Sequence, residues 1–209
     1  MYTRQPKKML IMNILDILRR YSDENHRLSQ KEIIEILKKY GANYISDKNI
    51  TEMSGSFTVV TAYKKTEIAV NKGAVIFTER THRFREQKFP IGIIGICEEK
   101  NKTAFETFKK SNNAVITCGI NNKNTVTLSS INGYNLLINL QRTLIDINGN
   151  HIYPCEFKIS LTKPYSPFSI MSAFAVLLLN GITPQEFWIK MHILPKIFTE
   201  VELYVKNYG

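Results

Sequence analysis

The sequence predicts an α/β protein in which a short helical element precedes a mostly parallel or mixed sheet with flanking helices. Residues 7–40 repeat apolar side chains at helical spacing, and from Ser56 onward short β-rich runs alternate with turn sequences. A continuous apolar run at 91–99, an amphipathic stretch and a second apolar run then form a βαβ pattern, which is typical of a parallel sheet. We therefore divide the chain into a helical element at 1–45 and an α/β domain at 56–209.

Length and composition indicate a globular protein. The chain has 209 residues, of which 44% are hydrophobic and 22% charged, and its longest apolar run, Ala173–Leu179, is far shorter than the roughly 20 residues of a membrane-spanning helix. No signal-peptide cleavage pattern adjoins the lysine-rich start. We expect a cytoplasmic protein that does not bind membranes.

The cysteines, Cys97, Cys118 and Cys155, are widely spaced and form no CxxC pair, so we expect buried free thiols and no metal site.

The net charge of +10 favours an anionic partner. The excess of basic over acidic residues is +4 in residues 1–50, +4 in residues 51–110 and +2 in residues 111–209. The positive charge is thus concentrated in the first half, which suits nucleic acid, although surplus lysine also serves solubility. Nucleic acid or another protein is the expected partner, and the chain is compatible with a homo-oligomer.

Two amphipathic helices are predicted near the N-terminus. Apolar residues recur at helical spacing through Lys7–Tyr21 and again through Gln30–Tyr40. Ser29 precedes Glu32 at the spacing of a capping box, which would begin the second helix, and Gly41 would end it.

The same stretch, MNILDILRRYSDENHRLSQKEIIEILKKYG, resembles the helix-turn-helix of the WYL-domain transcriptional regulators. In that family a basic helix follows and reads the major groove, whereas here ANYISDKNITEMSGS offers only Lys48 and a short helix at Asp47–Met53. The resemblance implies phosphate contacts that position DNA without reading its sequence, from Lys7, Lys8, Arg19, Arg20, Lys38 and Lys39. The alternative is a helical pair used for packing or dimerisation.

Extended structure is predicted from Ser56 onward, where SFTVVTAY, TEIAV and AVIFTER are short β-rich runs. The following stretch, THRFREQKF, places aromatic rings among cations. Arg83 and Arg85 could therefore hold phosphates while the rings stack on bases. An exposed loop or edge strand is the alternative interpretation.

The second half alternates strands and helices. The run IGIIGICEE predicts a buried strand, Lys102–Lys110 a helix and AVITCGI a second strand. Further strands are predicted at NTVTLSSI, NLLINLQRTLIDI and CEFKISL, with a turn at Asn148–Gly149. A helix at Ser169–Leu179 should end at Asn180–Gly181, and Pro184 should begin a final helix at Gln185–His192.

Residues 91–209 resemble the later half of the central domain of the Mur ligases, ATP-dependent enzymes that add amino acids to a UDP-linked peptidoglycan precursor. Ile93–Glu99, Lys102–Lys110 and Val115–Ile120 correspond to a strand ending in two acidic residues, a helix and a strand of that family. LLLNGITPQEF corresponds to a helix end, and IFTEVELYVKNYG loosely to the closing segment. The resemblance implies a Mur-ligase-like fold and makes Glu98 and Glu99 candidate ligand-binding residues.

The sequence departs from that family at its catalytic motifs. The phosphate-binding loop needs glycines and a lysine, and the best candidate, Gly119–Thr125, lacks a second glycine and the Lys-Ser/Thr pair. Tyr165, Ser166 and Ser169 replace the groups that contact adenine in the family, and Glu200 replaces its closing arginine. These departures argue against ligase activity.

The sequence contains no other catalytic motif that we recognise. The histidines have no HExxH spacing and no serine lies in GxSxG, so we assign no catalytic residue, metal or cofactor. The sequence favours a non-catalytic binding or regulatory protein that contacts nucleic acid or another protein. One alternative is a Mur-ligase-related protein that binds a nucleotide or UDP-sugar peptide, or an amide ligase component completed by a partner chain. Another is a remnant without a retained biochemical role.

Overall fold

The computed structural model describes residues 11–15, 24–45, 56–62, 70, 72–78, 87–132, 135–161 and 165–182. Helices and strands alternate through the first half, and strands predominate in the second. The elements of this described part, in chain order, are β1 (Ile11–Leu15), α1 (Glu24–Lys39), β2 (Ala42–Ile45), β3 (Phe57–Ala62), β4 (Gly73–Phe77), β5 (Ile93–Glu98), α2 (Lys102–Lys110), β6 (Val115–Gly119), β7 (Val126–Asn132), β8 (Asn135–Leu140), β9 (Leu144–Ile145), β10 (His151–Ile152), β11 (Cys155–Ser160) and α3 (Pro167–Leu179).

The main sheet has nine strands in the order β11-β8-β7-β6-β5-β4-β1-β3-β2. The strands from β2 to β7 in that order are parallel, and β8 and β11 complete the sheet as antiparallel strands. β9 and β10 form a separate antiparallel hairpin. The predicted fold class, a mostly parallel or mixed sheet with flanking helices, is confirmed.

The predicted first helix is wrong where the structure describes it. Within Lys7–Tyr21, residues Ile11–Leu15 form a strand that lies between β3 and β4, with Leu15 paired to Ala62 and Phe77. A central parallel strand is a nearly continuous apolar run, and a short run of this kind also fits helical spacing. The first described elements therefore follow the order strand, helix, strand, and the helix-turn-helix interpretation is not supported.

The predicted second helix overlaps α1, which begins earlier, at Glu24, and ends one residue sooner, at Lys39. Ser29 is within that helix, so the predicted capping box is wrong. The predicted end is confirmed, because Gly41 has φ +82° and its N–H donates to the carbonyl of Lys38 at 3.1 Å. The predicted helix at Asp47–Met53 lies outside the described residues.

The extended runs after Ser56 are confirmed as β3 and β4. TEIAV and THRFREQKF lie mostly outside the described residues, and of the latter the structure describes 87–89, where Phe89 is buried. The predicted βαβ unit is also confirmed, since β5 and β6 are parallel and α2 joins them with the predicted bounds. The Asn101 side chain caps α2 by accepting the N–H of Ala104 at 3.1 Å.

Helices cover both faces of the sheet. α1 and α3 pack against each other on one face, and α2 packs on the other. Alternation along β4 separates the two cores: Ala74 and Ile76 face the α1–α3 side, whereas Val75 and Phe77 face the α2 side. Side chains of α1 and α3 belong to one apolar cluster, so residues 31–45 share a core with the second half of the chain.

The strands β7, β8 and β11 extend the sheet beyond the end of β6. β7 pairs with β6 only at Cys118–Val126 and Gly119–Thr127 and then continues past it. The predicted strands of this region are confirmed, and the predicted turn at Asn148–Gly149 has Gly149 at φ +91°.

α3 confirms the predicted apolar helix and begins two residues before it. Ser166 caps its N-terminus, and every residue from Phe168 to Leu179 is buried. Gly181, at φ +72°, follows its predicted end, and the final helix predicted at Gln185–His192 lies outside the described residues. Among the helices that the structure describes, none has the length and apolar character needed to cross a membrane.

Candidate functional site

The carboxyl ends of β1 and β4 mark the point where the connections of the sheet change direction. From β1 the chain proceeds to β2 and β3 on one side, and from β4 it proceeds to β5 and β6 on the other. In open α/β sheets, ligands bind in the crevice outside the carboxyl ends of the strands at such a point. We call the region that follows Leu15 and Phe77 the switch-point crevice.

Thr78 contributes a polar group next to this crevice. It directly follows β4, its side chain is 6% exposed, and its hydroxyl oxygen has no hydrogen-bond partner within the described residues. A buried hydroxyl without a partner costs about 1–3 kcal/mol, so native proteins usually satisfy it through water or a ligand. Within the described residues, the Thr78 hydroxyl is thus available for a hydrogen bond beside the expected ligand position.

Four of the predicted nucleic-acid contacts follow the two strands that form the crevice. Arg19 and Arg20 stand between β1 and α1 in the chain, and Arg83 and Arg85 stand between β4 and β5. All four lie outside the described residues, as do Lys7 and Lys8, which precede β1.

The predicted contacts Lys38 and Lys39 lie elsewhere. α1 joins parallel strands, so it returns from the carboxyl edge to the opposite edge of the sheet, and these lysines are in its last turn. The ammonium group of Lys38 lies 4.8 Å from the centre of the Tyr44 ring, and that of Lys39 lies 3.5 Å from the Tyr165 hydroxyl. Lys38 and Lys39 therefore lie at the edge of the sheet opposite the carboxyl ends of β1 and β4.

The predicted ligand-binding residues Glu98 and Glu99 are exposed at the carboxyl end of β5. The carboxylate of Glu99 accepts a hydrogen bond from the Asn124 side chain, which also donates to the carbonyl of Asn121 at 2.9 Å. These contacts hold the connection between β6 and β7 against the end of β5. That connection, which includes Gly119–Thr125, is held by hydrogen bonds among its own residues, and it leads to strand β7. A phosphate-binding loop would instead lead to a helix.

A polar contact between α1 and α3 occupies the N-terminus of α3. Glu35 Oε1 accepts a hydrogen bond from the Tyr165 hydroxyl at 2.9 Å, and Glu32 Oε2 accepts the backbone N–H of Ser166 at 3.0 Å. Ser166 Oγ lies 2.6 Å from Ser169 Oγ. We call Glu32, Glu35, Tyr165 and Ser166 the α1–α3 cluster.

The position of the Glu32 carboxylate at the N-terminus of α3 is electrostatically favourable, because the positive end of a helix dipole attracts a carboxylate. Burial raises the pKa of Tyr165, and the hydrogen bond to Glu35 and the charges of Glu35 and Glu32 raise it further. The tyrosine therefore remains protonated and continues to donate to Glu35 at neutral pH. Tyr165 and Ser166, which the sequence resemblance aligns with adenine-contacting groups, are hydrogen-bonded to Glu35 and Glu32 within the protein.

We expect Tyr165→Phe to lower the free energy of unfolding by about 1–3 kcal/mol at neutral pH, because it removes a hydrogen bond to a carboxylate and retains the ring. The loss should shrink above pH ~10, where the unfolded-state tyrosine ionises while the folded one, with its raised pKa, stays protonated. Urea unfolding at both pH values measures this difference.

Tyr153→Phe serves as the control, because Tyr153 is 70% exposed and the substitution should change stability little. A Tyr165→Phe loss that is independent of pH would contradict the role assigned to the raised pKa.

The three cysteines have pKa values raised above that of an ordinary thiol. Burial, followed by the charge of Glu98, raises the pKa of Cys97 to about 12. Burial also raises the pKa of Cys118, which is fully buried, and the pKa of Cys155, which is half-buried. All three thiols are free; Cys97 and Cys118 are buried as expected, whereas Cys155 is only half-buried. Among the described residues, no three metal-ligating side chains come together.

Sequence reasoning missed the contribution of Glu32 and Glu35. Glu32 was assigned to a cap of its own helix, whereas its carboxylate binds the start of a helix 134 residues away. The available signal was the i, i+3 spacing of two acidic residues on a helix otherwise rich in apolar and basic residues. Their partner could not be identified from spacing alone.

Comparisons with protein families and with curated proteins find no match to this chain. Solved structures do match. MurF from Acinetobacter baumannii superposes with a TM-score of 0.55 at 8% identity, covering 89% of this chain and 46% of that one. A UDP-N-acetylmuramate:L-alanyl-gamma-D-glutamyl-meso-diaminopimelate ligase from Neisseria meningitides gives 0.54 at 8% identity, covering 92% and 68%. The bifunctional folylpolyglutamate synthase/dihydrofolate synthase from Yersinia pestis gives 0.54 at 9%, covering 96% and 62%.

The match extends over nearly the whole chain, although only residues 91–209 carried the sequence resemblance. The strands β1 to β4 therefore belong to the same fold, and the first half of the chain is part of it. The chain spans about half the length of the MurF structures it matches. At this level of identity the likeness establishes the fold: the chain has a mixed α/β fold like that of the central domain of the Mur ligases, which it shares with the folylpolyglutamate synthases.

Proposed function

We propose that the chain is a non-catalytic binding protein that holds an anionic partner, nucleic acid in the first instance, at the switch-point crevice. The observation that carries the proposal is the connection between β1 and α1. The connection leaves β1 at the switch point, and a phosphate-binding loop between a strand and a helix has glycines and a lysine. Residues 16–23 here read DILRRYSD, with two arginines and neither glycine nor lysine.

Arginine suits this role, because its planar guanidinium can bind two phosphate oxygens at once and its charge displaces counterions. Arg83 and Arg85 lie between β4 and β5 in the sequence, and β4 is the neighbour of β1 in the sheet. We propose that the four arginines contact the phosphates of one partner.

The α1–α3 cluster supports the non-catalytic part of the proposal. Catalysis by an ATP-dependent ligase requires a bound nucleotide whose phosphates are held and whose base is positioned. In this chain Tyr165 and Ser166 are hydrogen-bonded to Glu35 and Glu32 instead, and two carboxylates at this place repel phosphate. We therefore expect no ATP-dependent amide bond formation by the chain alone.

We expect fluorescence anisotropy to detect binding of a labelled DNA duplex that weakens by about 100-fold between roughly 50 and 200 mM salt, as release of counterions from about four phosphates requires. Arg19→Ala/Arg20→Ala should weaken binding at least about tenfold and reduce the salt slope by about two.

Lys109→Ala/Lys110→Ala is the matched control, because it removes the same charge from the last turn of α2, at the opposite edge of the sheet. Equal losses in the two variants would place the contacts outside the crevice, and binding that does not respond to salt would remove the nucleic acid proposal.

A second candidate function is recognition of a nucleotide or UDP-sugar peptide, alone or as an amide ligase component completed by a partner chain. The hydroxyl of Thr78, which has no hydrogen-bond partner among the described residues, favours it, because a small ligand in the crevice could satisfy that group. Thermal unfolding with ATP or a UDP-sugar peptide tests this candidate, since a ligand at 100 times its Kd stabilises the fold by about 2.7 kcal/mol. A shift without DNA binding would favour it over our first proposal, and no shift at millimolar ligand would exclude it.

A further inference from the structure

Two stacked aromatic rings are exposed on the β9–β10 hairpin. The ring centres of His151 and Tyr153 are 6.3 Å apart, and the ring planes are inclined by only 23°. Tyr153 is 70% exposed, and His151 is exposed as well. Ile145 lies directly opposite His151 in the hairpin and is 53% exposed, so its side chain extends the same face. We call Ile145, His151 and Tyr153 the aromatic platform.

Exposed cations lie next to both ends of this platform. Because β8 pairs with β11 and β9 with β10, the connection that contains Arg142 runs opposite the connection that contains Tyr153. The guanidinium of Arg142 donates a hydrogen bond to the carbonyl of Lys123 at 3.0 Å, which brings Lys123 to the same end. At the tip of the hairpin, Nζ of Lys72 donates to the carbonyl of Ile147 at 3.0 Å. All three cations are exposed.

Hydrogen bonds hold the hairpin in one position. The N–H of Ile147 donates to the carbonyl of Leu179 at the end of α3, at 3.0 Å. The Asp146 carboxylate accepts the N–H groups of Asn148 and Asn150 at 2.8 Å each and thereby fixes the turn. A binding surface that is already ordered loses less conformational entropy when a ligand binds. The support beneath the aromatic platform therefore favours binding.

We propose that the aromatic platform binds unpaired bases of a single-stranded nucleic acid and that Arg142, Lys123 and Lys72 contact its phosphates. Every base has an aromatic face that can stack on a tyrosine or histidine ring, and sites for single strands combine such rings with cations. A duplex keeps its bases inside the helix, so the single strand is the form that fits the platform. This site is formed by residues other than the arginines proposed for the switch-point crevice, and it does not depend on them.

Fluorescence anisotropy with a labelled oligothymidylate of about 12 nucleotides tests the proposal. The full chain carries Arg19→Ala/Arg20→Ala in these titrations, so that binding at the crevice contributes as little as possible. Adding Tyr153→Ala should weaken binding at least about tenfold, because it removes a stacking surface. Tyr153→Phe should keep the affinity within about twofold, because the ring remains. Phe105→Ala, which removes a ring that is 46% exposed on α2, should leave the affinity unchanged.

The salt dependence of the same titrations tests the phosphate contacts. Lys123→Ala/Arg142→Ala should reduce the slope of log K against log salt by about 1.4, since each phosphate contact to a single strand contributes about 0.7. Tyr153→Ala should leave this slope unchanged, because stacking releases no counterions. Lys109→Ala/Lys110→Ala is the matched control and should change neither the slope nor the affinity.

A labelled duplex separates this inference from the crevice proposal. Tyr153→Ala in the natural sequence should bind the duplex as the natural sequence does, and its thermal unfolding should be unchanged because the side chain is exposed. Duplex binding that requires the crevice arginines, together with single-strand binding that does not respond to Tyr153→Ala, would overturn the platform alone. No single-strand binding, or equal losses for Tyr153→Ala and Phe105→Ala, would also overturn it. A Tyr153-dependent single-strand site without duplex binding would support it while contradicting the crevice proposal.

Discussion

Phe174→Ala is expected to lower the free energy of unfolding by about 3–5 kcal/mol, the range for removing a buried phenylalanine side chain. Phe174 is fully buried in α3, and its ring centre lies 4.5 Å from that of Phe157. This contact joins the central helix of the larger core to the edge strand β11. The substitution removes buried apolar area. It also leaves a cavity between α3 and β11, because the surrounding structure relaxes only in part.

Urea unfolding followed by circular dichroism measures the effect. Phe105→Ala provides the control, because Phe105 is 46% exposed on the outer face of α2 and makes a much smaller contribution to burial. A loss for Phe174→Ala that is no larger than the loss for Phe105→Ala would contradict the position of α3 at the centre of the core.

Gly95→Ala is expected to lower the free energy of unfolding by about 2–3 kcal/mol through overpacking. Gly95 lies in β5 under the ring of Phe108 from α2, and a Cβ at this position would lie 2.5 Å from Cε2 of that ring. The ring is itself confined between Phe77 and Phe89, with centroid distances of 4.9 and 5.1 Å. Phe108 therefore cannot move aside without disturbing the smaller core.

A double-mutant cycle with Phe108→Leu separates this contact from the intrinsic effect of replacing glycine in a strand. We expect Gly95→Ala to cost clearly less in the Phe108→Leu background, with a coupling free energy of about 1 kcal/mol or more. Equal costs in the two backgrounds would show that the close approach of α2 to β5 is not the reason that position 95 requires glycine.

The second half of the fold was predictable because its signals are local. The bounds of α2 follow from the apolar spacing of Ala104 and Phe108 and from the Asn101 cap, all within one short stretch. The turn at Asn148–Gly149 likewise depends on neighbouring residues, since the Asp146 carboxylate accepts the N–H groups of Asn148 and Asn150 at 2.8 Å each.

The first half was misread because its structure depends on distant partners. The run at Ile11–Leu15 satisfies both helical spacing and the continuous pattern of a buried strand, and only its position between β3 and β4 decides between them. Short apolar runs are ambiguous in this way until the flanking strands are known. The resemblance to a DNA-binding element strengthened the wrong alternative.

The candidate site was predictable only in part. The arginines and the acidic pair at Glu98–Glu99 could be named from composition and resemblance, but not the edge of the sheet at which each would lie. The α1–α3 cluster depends on contacts between Glu35 and Tyr165 that are 130 residues apart, and no local pattern encodes them.

The same separation bears on how the protein is made. α1 is synthesised before the strands β2 to β11, and the helix that covers its apolar side, α3, is synthesised after them. β1 likewise has to wait for β3 and β4 before it has neighbours on both sides. The nascent chain must therefore keep Ile33, Ile36 and Leu37 without their final cover until α3 has emerged from the ribosome, and chaperones commonly bind such exposed apolar segments.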